Sequence, residues 1–226
     1  MQTNPRKIHG FKHILALLLT GACGTAFGAA APGVAAPDNA ALASAMRNYL
    51  AEHGDFCVGK YDWPIDVSEG DAKAHTNNAV QMPVLEKMGL VRAENGSARR
   101  LVGETEKEVA VKRYFLTAAG QKYYVKRSMA SATSAGDKRE HPGDFCAGKL
   151  SLDRVVEWEQ PKLVAGHAET TVTYTYRIAP ADWTRDPDAR RVFPMVAQVV
   201  TGAGQLRLKQ RVRQQDQNWV AVNLWE

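Results

Sequence analysis

The chain has 226 residues, 45% hydrophobic and 23% charged, an ordinary globular balance that excludes a collagen-like, low-complexity or wholly disordered protein. Its formal charge is +5, from 29 Lys and Arg against 24 Asp and Glu. Three of those cations, Arg6, Lys7 and Lys12, stand in an N-terminal leader; without them the balance is 26 against 24, too close to neutral for global attraction to a polyanion.

The leader reads as a secretory signal over residues 1–28: the cations precede an apolar run from Ile14 to Ala22, and small residues follow. Two processing routes stay open. Leu19-Thr20-Gly21-Ala22-Cys23 resembles a lipobox, with Thr20 where Leu is usual, and would leave an acylated Cys23 as the new terminus and a membrane tether. Alternatively, Ala26-Phe27-Gly28 or Gly28-Ala29-Ala30 serves ordinary signal peptidase and Cys23 is discarded. An uncleaved anchor is a third route, which the glycines of the stretch oppose. The expectation is an exported protein, periplasmic or membrane-anchored in the cell envelope, with a mature chain of about 195 residues, enough for one larger domain or two small ones.

Residues 38–126 are expected to form a helix-plus-hairpin part. Asp38 suits an N-cap, and Leu42, Ala45, Met46, Tyr49 and Leu50 recur at helical spacing before a stop at Gly54. A second helix is expected from Thr76 to Met88, split or restarted at Pro83 and ended by Gly89. Val109 to Leu116 reads as the return strand of a hairpin. Residues 127–142, rich in Ser, Ala, Gly and charge, read as a linker. A β-rich part, 143–226, follows, with strands at Cys146–Leu152, Arg154–Glu159, Thr170–Ile178, Gly204–Arg213 and Trp219–Trp225. In Thr170–Ile178 the residues Val172, Tyr174, Tyr176 and Ile178 face a core and the threonines face water. Trp183, Asp186-Pro187 and Phe193-Pro194 place a helix between strands. The fold class is α+β, an antiparallel sheet with a helical crossover.

The heptapeptide Gly-Asp-Phe-Cys-x-Gly-Lys occurs twice, at Gly54–Lys60 and Gly143–Lys149. Its two cysteines, Cys57 and Cys146, read first as the halves of one disulfide, as an oxidising compartment favours. His53, Asp55 and Cys57 with His141, Asp144 and Cys146 offer a zinc shell as an alternative, but tight Cys-x-x-Cys pairs are missing. A cysteine nucleophile with His53 or His141 as base is the enzyme reading; duplication argues against it, because catalysis needs one activated thiol and pairing needs two. No catalytic, cofactor-binding or metal residue is therefore assigned, and no cofactor is expected. On the last long strand Arg207, Lys209, Arg211 and Arg213 form a cationic stripe with Trp219 across the hairpin. The stripe reads either as edge protection or as an anion-contact surface toward lipid headgroups or an acidic partner.

Two resemblances accompany these motifs. Val84-Leu85, Met88-Gly89-Leu90-Val91, the charged hairpin and Tyr114-Phe115-Leu116-Thr117 with Gly120 resemble the second half of a winged helix of the MarR or PadR type. That implies a winged-helix-like shape, in which the helix before Gly89 would enter a DNA groove. Here that helix carries a single cation, Lys87, and the leader exports it, so no DNA partner is expected. Phe145-Cys146-Ala147-Gly148, Val155 to Trp158, Thr171 to Tyr176, Asp182-Trp183 and Phe193-Pro194 resemble a type of exported proteobacterial protein to which no activity attaches. The functional expectation is a non-enzymatic exported protein that binds an unknown protein or envelope component or supports envelope assembly. A thiol- or metal-dependent periplasmic enzyme and an antagonist or immunity-type interaction protein are the alternatives.

Overall fold

The computed structural model describes residues 36–132 and 138–222. The leader, Cys23 and Trp225 lie outside the described residues. Helix α1 (Asn39–His53) opens on Asp38, whose Oδ1 accepts a hydrogen bond from the Ala41 amide at 2.6 Å. It buries Leu42, Ala45, Met46 and Leu50, the residues that recur at helical spacing. Strands β1 (Asp55–Cys57) and β2 (Ile65–Ser68), helices α2 (Glu69–Lys73) and α3 (Asn77–Lys87), and strands β3 (Val91–Val102) and β4 (Thr105–Leu116) follow. Helix α3 continues through Pro83, so the expected split does not occur. Its Thr76 cap and the burial of Gln81, Met82 and Leu85 hold it, while the proline ring sits on the exposed side. Gly89 ends the turn after α3 with φ of 72°, a conformation that favours glycine.

A small three-stranded antiparallel sheet has the order β2-β4-β3. The rest of the chain supplies a short helix α4 (Ala118–Gln121), strands β5 (Tyr124–Ala132), β6 (Lys138–Trp158), β7 (Lys162–Val164) and β8 (His167–Pro180), helices α5 (Pro187–Val192) and α6 (Pro194–Thr201), and strands β9 (Leu208–Gln215) and β10 (Asn218–Ala221). These strands and β1 form a second antiparallel sheet of order β1-β6-β8-β9-β10, with β5 also on β6 and β7 also on β8. The fold is α+β. Helices α5 and α6 connect β8 to its neighbour β9, where a helical crossover was expected.

Several expectations are corrected. Cys146–Leu152 and Arg154–Glu159 are not two strands: they lie in the single bulged strand β6, with register breaks at Leu152/Arg154 and Val155/Glu157. The stretch 127–142, read as a linker from its small and charged residues, pairs as β5 with β6 from Met129 opposite His141 to Ala132 opposite Lys138. Backbone pairing needs no particular side chain, which is why composition misleads there. The strand expected from Gly204 begins at Leu208, because the chain turns at Gly202 to Leu206: the Gln205 and Leu206 amides donate to the Gly202 carbonyl, and Gly204 has φ of 76°. Thr173 and Thr175 are buried rather than wet. Strand β8 is central, between β6 and β9, and Thr175 donates to Asp153 Oδ2 on β6 at 2.9 Å.

Two apolar clusters form, and each draws on both ends of the sequence. One gathers Ile65, Val67, Met82, Leu85 and Tyr114 with Phe145, Trp183, Ala189, Phe193 and Val196. The other packs Leu42, Met46 and Leu50 of α1 on Val172, Tyr174, Tyr176, Val212 and Trp219. The N-terminal helix thus covers the C-terminal sheet, and α5 packs on α3 while α6 adds Val196 to the same apolar cluster.

On the outer side of the small sheet Arg113 grips Asp66 with two hydrogen bonds, Nε to Oδ1 at 2.7 Å and Nη2 to Oδ2 at 2.8 Å. That fork holds the Asp66 carboxyl below its ordinary value. A depressed carboxyl contributes stability above its unfolded pKa and loses it as pH falls through the folded value. Asp66→Asn is therefore expected to destabilise the protein at neutral pH, with the deficit closing on acidification. Urea midpoints measured from pH 7 to pH 3 test this, and a deficit that does not shrink would contradict it.

Candidate functional site

The two heptapeptides lie on each other. Residues of β1 and β6 pair antiparallel, Asp55 opposite Lys149, Phe56 opposite Gly148 and Cys57 opposite Cys146. The pairing extends outward through Leu150 N–H to Gly54 O at 2.7 Å and Val58 N–H to Phe145 O at 2.9 Å. Antiparallel apposition of two identical motifs brings their central residues face to face, and a disulfide joins Cys57 to Cys146, S–S 2.03 Å. The leading glycine of each copy is required by close backbone approach. A Cβ at Gly54 would stand 2.2 Å from Leu50 O, and one at Gly143 would stand 2.4 Å from Val125 O.

Beside the disulfide the second copy fastens the first. Asp144, buried, accepts from the Gly59 amide at 3.1 Å, the Lys60 amide at 2.7 Å and the Phe145 amide at 2.7 Å. Gly59 presents its amide by adopting φ of 71°. Lys60, also buried, extends its ammonium to Asn78 Oδ1 at 2.6 Å, at the start of α3. Burial pushes the Lys60 ammonium down, against the pull of the Asp144 charge. It pushes the Asp144 carboxyl up, against its three amide donors and Lys60. Around this latch Phe145 meets Trp183 at 5.5 Å, Tyr123 at 6.1 Å and Trp63 at 6.2 Å between ring centroids. Trp183 donates from Nε1 to Cys146 O at 3.2 Å and packs edge-on to Phe193 at 5.1 Å. The Phe-Cys, Asp-Trp and Phe-Pro motifs therefore converge on one core.

Both sulfurs are bonded to each other. His53 stacks on Tyr49, 5.0 Å between centroids, at the end of α1, and the His141 side chain lies outside the described residues. Among the described residues no group of three His, Cys, Asp or Glu is arranged to hold a metal ion.

Of the four cations of the expected stripe, Lys209, Arg211 and Arg213 lie on β9 and Arg207 just precedes it, and three of the four have acidic neighbours. Arg213 Nε meets Glu169 Oε1 at 2.7 Å and Arg211 lies 3.8 Å from the same carboxylate, while Arg207 is 3.9 Å from Glu157. Lys209, opposite Thr173, has no such partner among the described residues. Trp219 stands apart from the row. It is buried with α1 on the opposite face of the sheet, because it pairs with Gln214 rather than with a stripe residue.

A cavity of about 620 Å³ lies elsewhere, between the start of α2 and the outer half of the β3–β4 ribbon. Sequence reasoning passed over it, and it passed over the Asp144–Lys60–Asn78 latch as well. The repeated Asp and Lys of the heptapeptide were the available signal for the latch, but they drew less notice than the cysteines between them. Compared with family models, curated proteins and solved structures, the chain matches none.

Proposed function

We propose that this is an exported, non-enzymatic protein that binds another protein or an envelope component, with the heptapeptide pair as the fastening of its scaffold. The supporting observation is that both copies are consumed in joining each other, through a covalent bond of the kind kept in oxidising compartments. The leader fits the same reading, with Cys23 either lipidated as a tether or removed with the signal. The sheet order β2-β4-β3, with α2 and α3 between β2 and β3, supports a winged-helix-like shape for the first half. We read that shape as carrying no DNA role, since α5 already occupies one side of α3: Gln81 Nε2 donates to Val192 O at 3.0 Å, and Lys87 meets Asp188 at 2.8 Å. Lys209 and the loosely paired Arg207 are the members of the stripe best placed for an anion contact.

The test is the intact mass of the protein recovered from its native envelope, before and after reduction with alkylation. The reading expects a processed N-terminus or an acylated Cys23, and cysteines at 57 and 146 that alkylate only after reduction. Recovery of the unprocessed chain from the cytoplasm with both thiols free would overturn it and bring the thiol-dependent enzyme forward.

A further inference from the structure

On the β6 side of the larger sheet, away from the cationic row of β9, three other cations share one cavity. The pairing of β1 with β6 ends at Asp55 opposite Lys149, and the Leu150 amide donates to Gly54 O at the end of α1. Past that point β6 has β8 on one side and, among the described residues, no strand on the other. Helix α1 lies along this side. A cavity of about 480 Å³ remains between the two, lined by Arg47 and Leu50 of α1, Lys149, Leu150 and Leu152 of β6, and Arg177 of β8.

The floor of this cavity is apolar. Leu50 is buried, and Leu150 and Leu152, half-buried, pack against the same cluster. The rim is cationic. Side chains alternate along a strand, so Lys149 projects from the face opposite to Leu150, and Arg177, opposite Ser151, projects from that same face of β8. Arg47, one turn before Leu50, reaches the space from the helix. All three cations are exposed, and no Asp or Glu lines the cavity. Arg177 has Asp153 at 3.2 Å, whereas Arg47 and Lys149 form no ion pair among the described residues. Like charges gathered over an apolar floor repel one another more than they would in open water, and an anion between them relieves that repulsion. The two heptapeptide lysines therefore differ in use: Lys60 is buried in the latch, and Lys149 stands at the rim of this cavity.

We propose that the cavity binds an anionic amphiphile, its phosphate or carboxylate between Arg47, Lys149 and Arg177 and its hydrocarbon part on Leu50, Leu150 and Leu152. A concave site with an apolar lining and a few convergent polar groups suits a small ligand of that kind. The site is separate from the row on β9 and does not depend on the leader. A free amphiphile and an acidic lipid in a bilayer offer the same chemistry.

Isothermal titration calorimetry of the purified chain with octyl phosphate below its micellar range tests the site. Inorganic phosphate probes the anion alone, and far-UV dichroism confirms that each variant folds. One saturable site is expected for octyl phosphate, with inorganic phosphate weaker by about tenfold or more. Arg47→Gln/Lys149→Gln should weaken octyl phosphate by about tenfold or more, and Lys209→Gln should leave it unchanged. Flotation with phosphatidylglycerol vesicles identifies the source. Capture that the double variant abolishes assigns the site to a bilayer lipid, and octyl phosphate binding without vesicle capture assigns it to a free ligand. Absence of saturable binding overturns the proposal. So does binding that inorganic phosphate matches, or that Lys209→Gln weakens as much as the double variant does.

Discussion

Replacing Cys57 and Cys146 by serine is expected to lower the unfolding free energy by about 4 to 5 kcal/mol. The bond spans a sequence separation of 89 residues, and closing a loop of that size removes about this much entropy from the unfolded chain. The cost falls on a join that holds a three-residue strand, β1, against β6, too short a pairing to persist on backbone hydrogen bonds alone. Urea titration of the parent, the parent under reductant and the double serine variant is the check. The last two should coincide and should sit well below the first. A loss under about 1 kcal/mol would mean that the unfolded chain stays compact without the bond.

Asp144→Ala is expected to cost about 3 kcal/mol or more, even with the disulfide intact. The substitution strips the acceptor from three amides, Gly59, Lys60 and Phe145, and a buried donor left unmatched costs about 1 to 3 kcal/mol. It also leaves the buried Lys60 without its counter-charge. Pairing the change with Lys60→Met separates the two contributions. If the unpaired ammonium dominates, Lys60→Met restores part of the stability lost in Asp144→Ala, whereas strict additivity would assign the loss to the amides. The pH dependence carries a sign opposite to that at Asp66. The Asp144 carboxyl is raised above its ordinary 3.8, so the folded state holds the proton longer, and its contribution declines as pH rises from 3.8 toward the folded value. Asp144→Asn should remove that slope.

What could be read in the sequence depended on how local the signal was. Asp38, the spacing of Leu42, Ala45, Met46 and Leu50, and the stop at Gly54 define α1 within seventeen residues, and all are seen. The alternation Val172, Tyr174, Tyr176 correctly marked a core face. The pairing of Cys57 with Cys146 was legible because a repeated motif announces its own partner. The destination of α1 was not legible. Its apolar stripe would suit any apolar sheet, and nothing in the stripe distinguishes the nearby hairpin from β8, more than a hundred residues away. The latch was hidden for a related reason: Asp144 acts on backbone amides of Gly59 and Lys60, and a backbone acceptor leaves no mark in the partner's residue types. The buried threonines of β8 were missed because the strands that flank it, β6 and β9, do not enter a single-strand pattern. Trp219 was placed with the stripe by proximity in sequence, and register put it on the other side.

The exchange of elements between the two clusters bears on how such a chain could have arisen and how far it can be cut. A gene divided between Ala132 and Lys138 would encode one fragment holding α1 without the sheet it covers, and another holding α5 without α3, on which it packs. Neither fragment inherits a finished interior, so the two heptapeptides cannot be traded between proteins as parts of separable modules. A cut at that point leaves both apolar clusters incomplete.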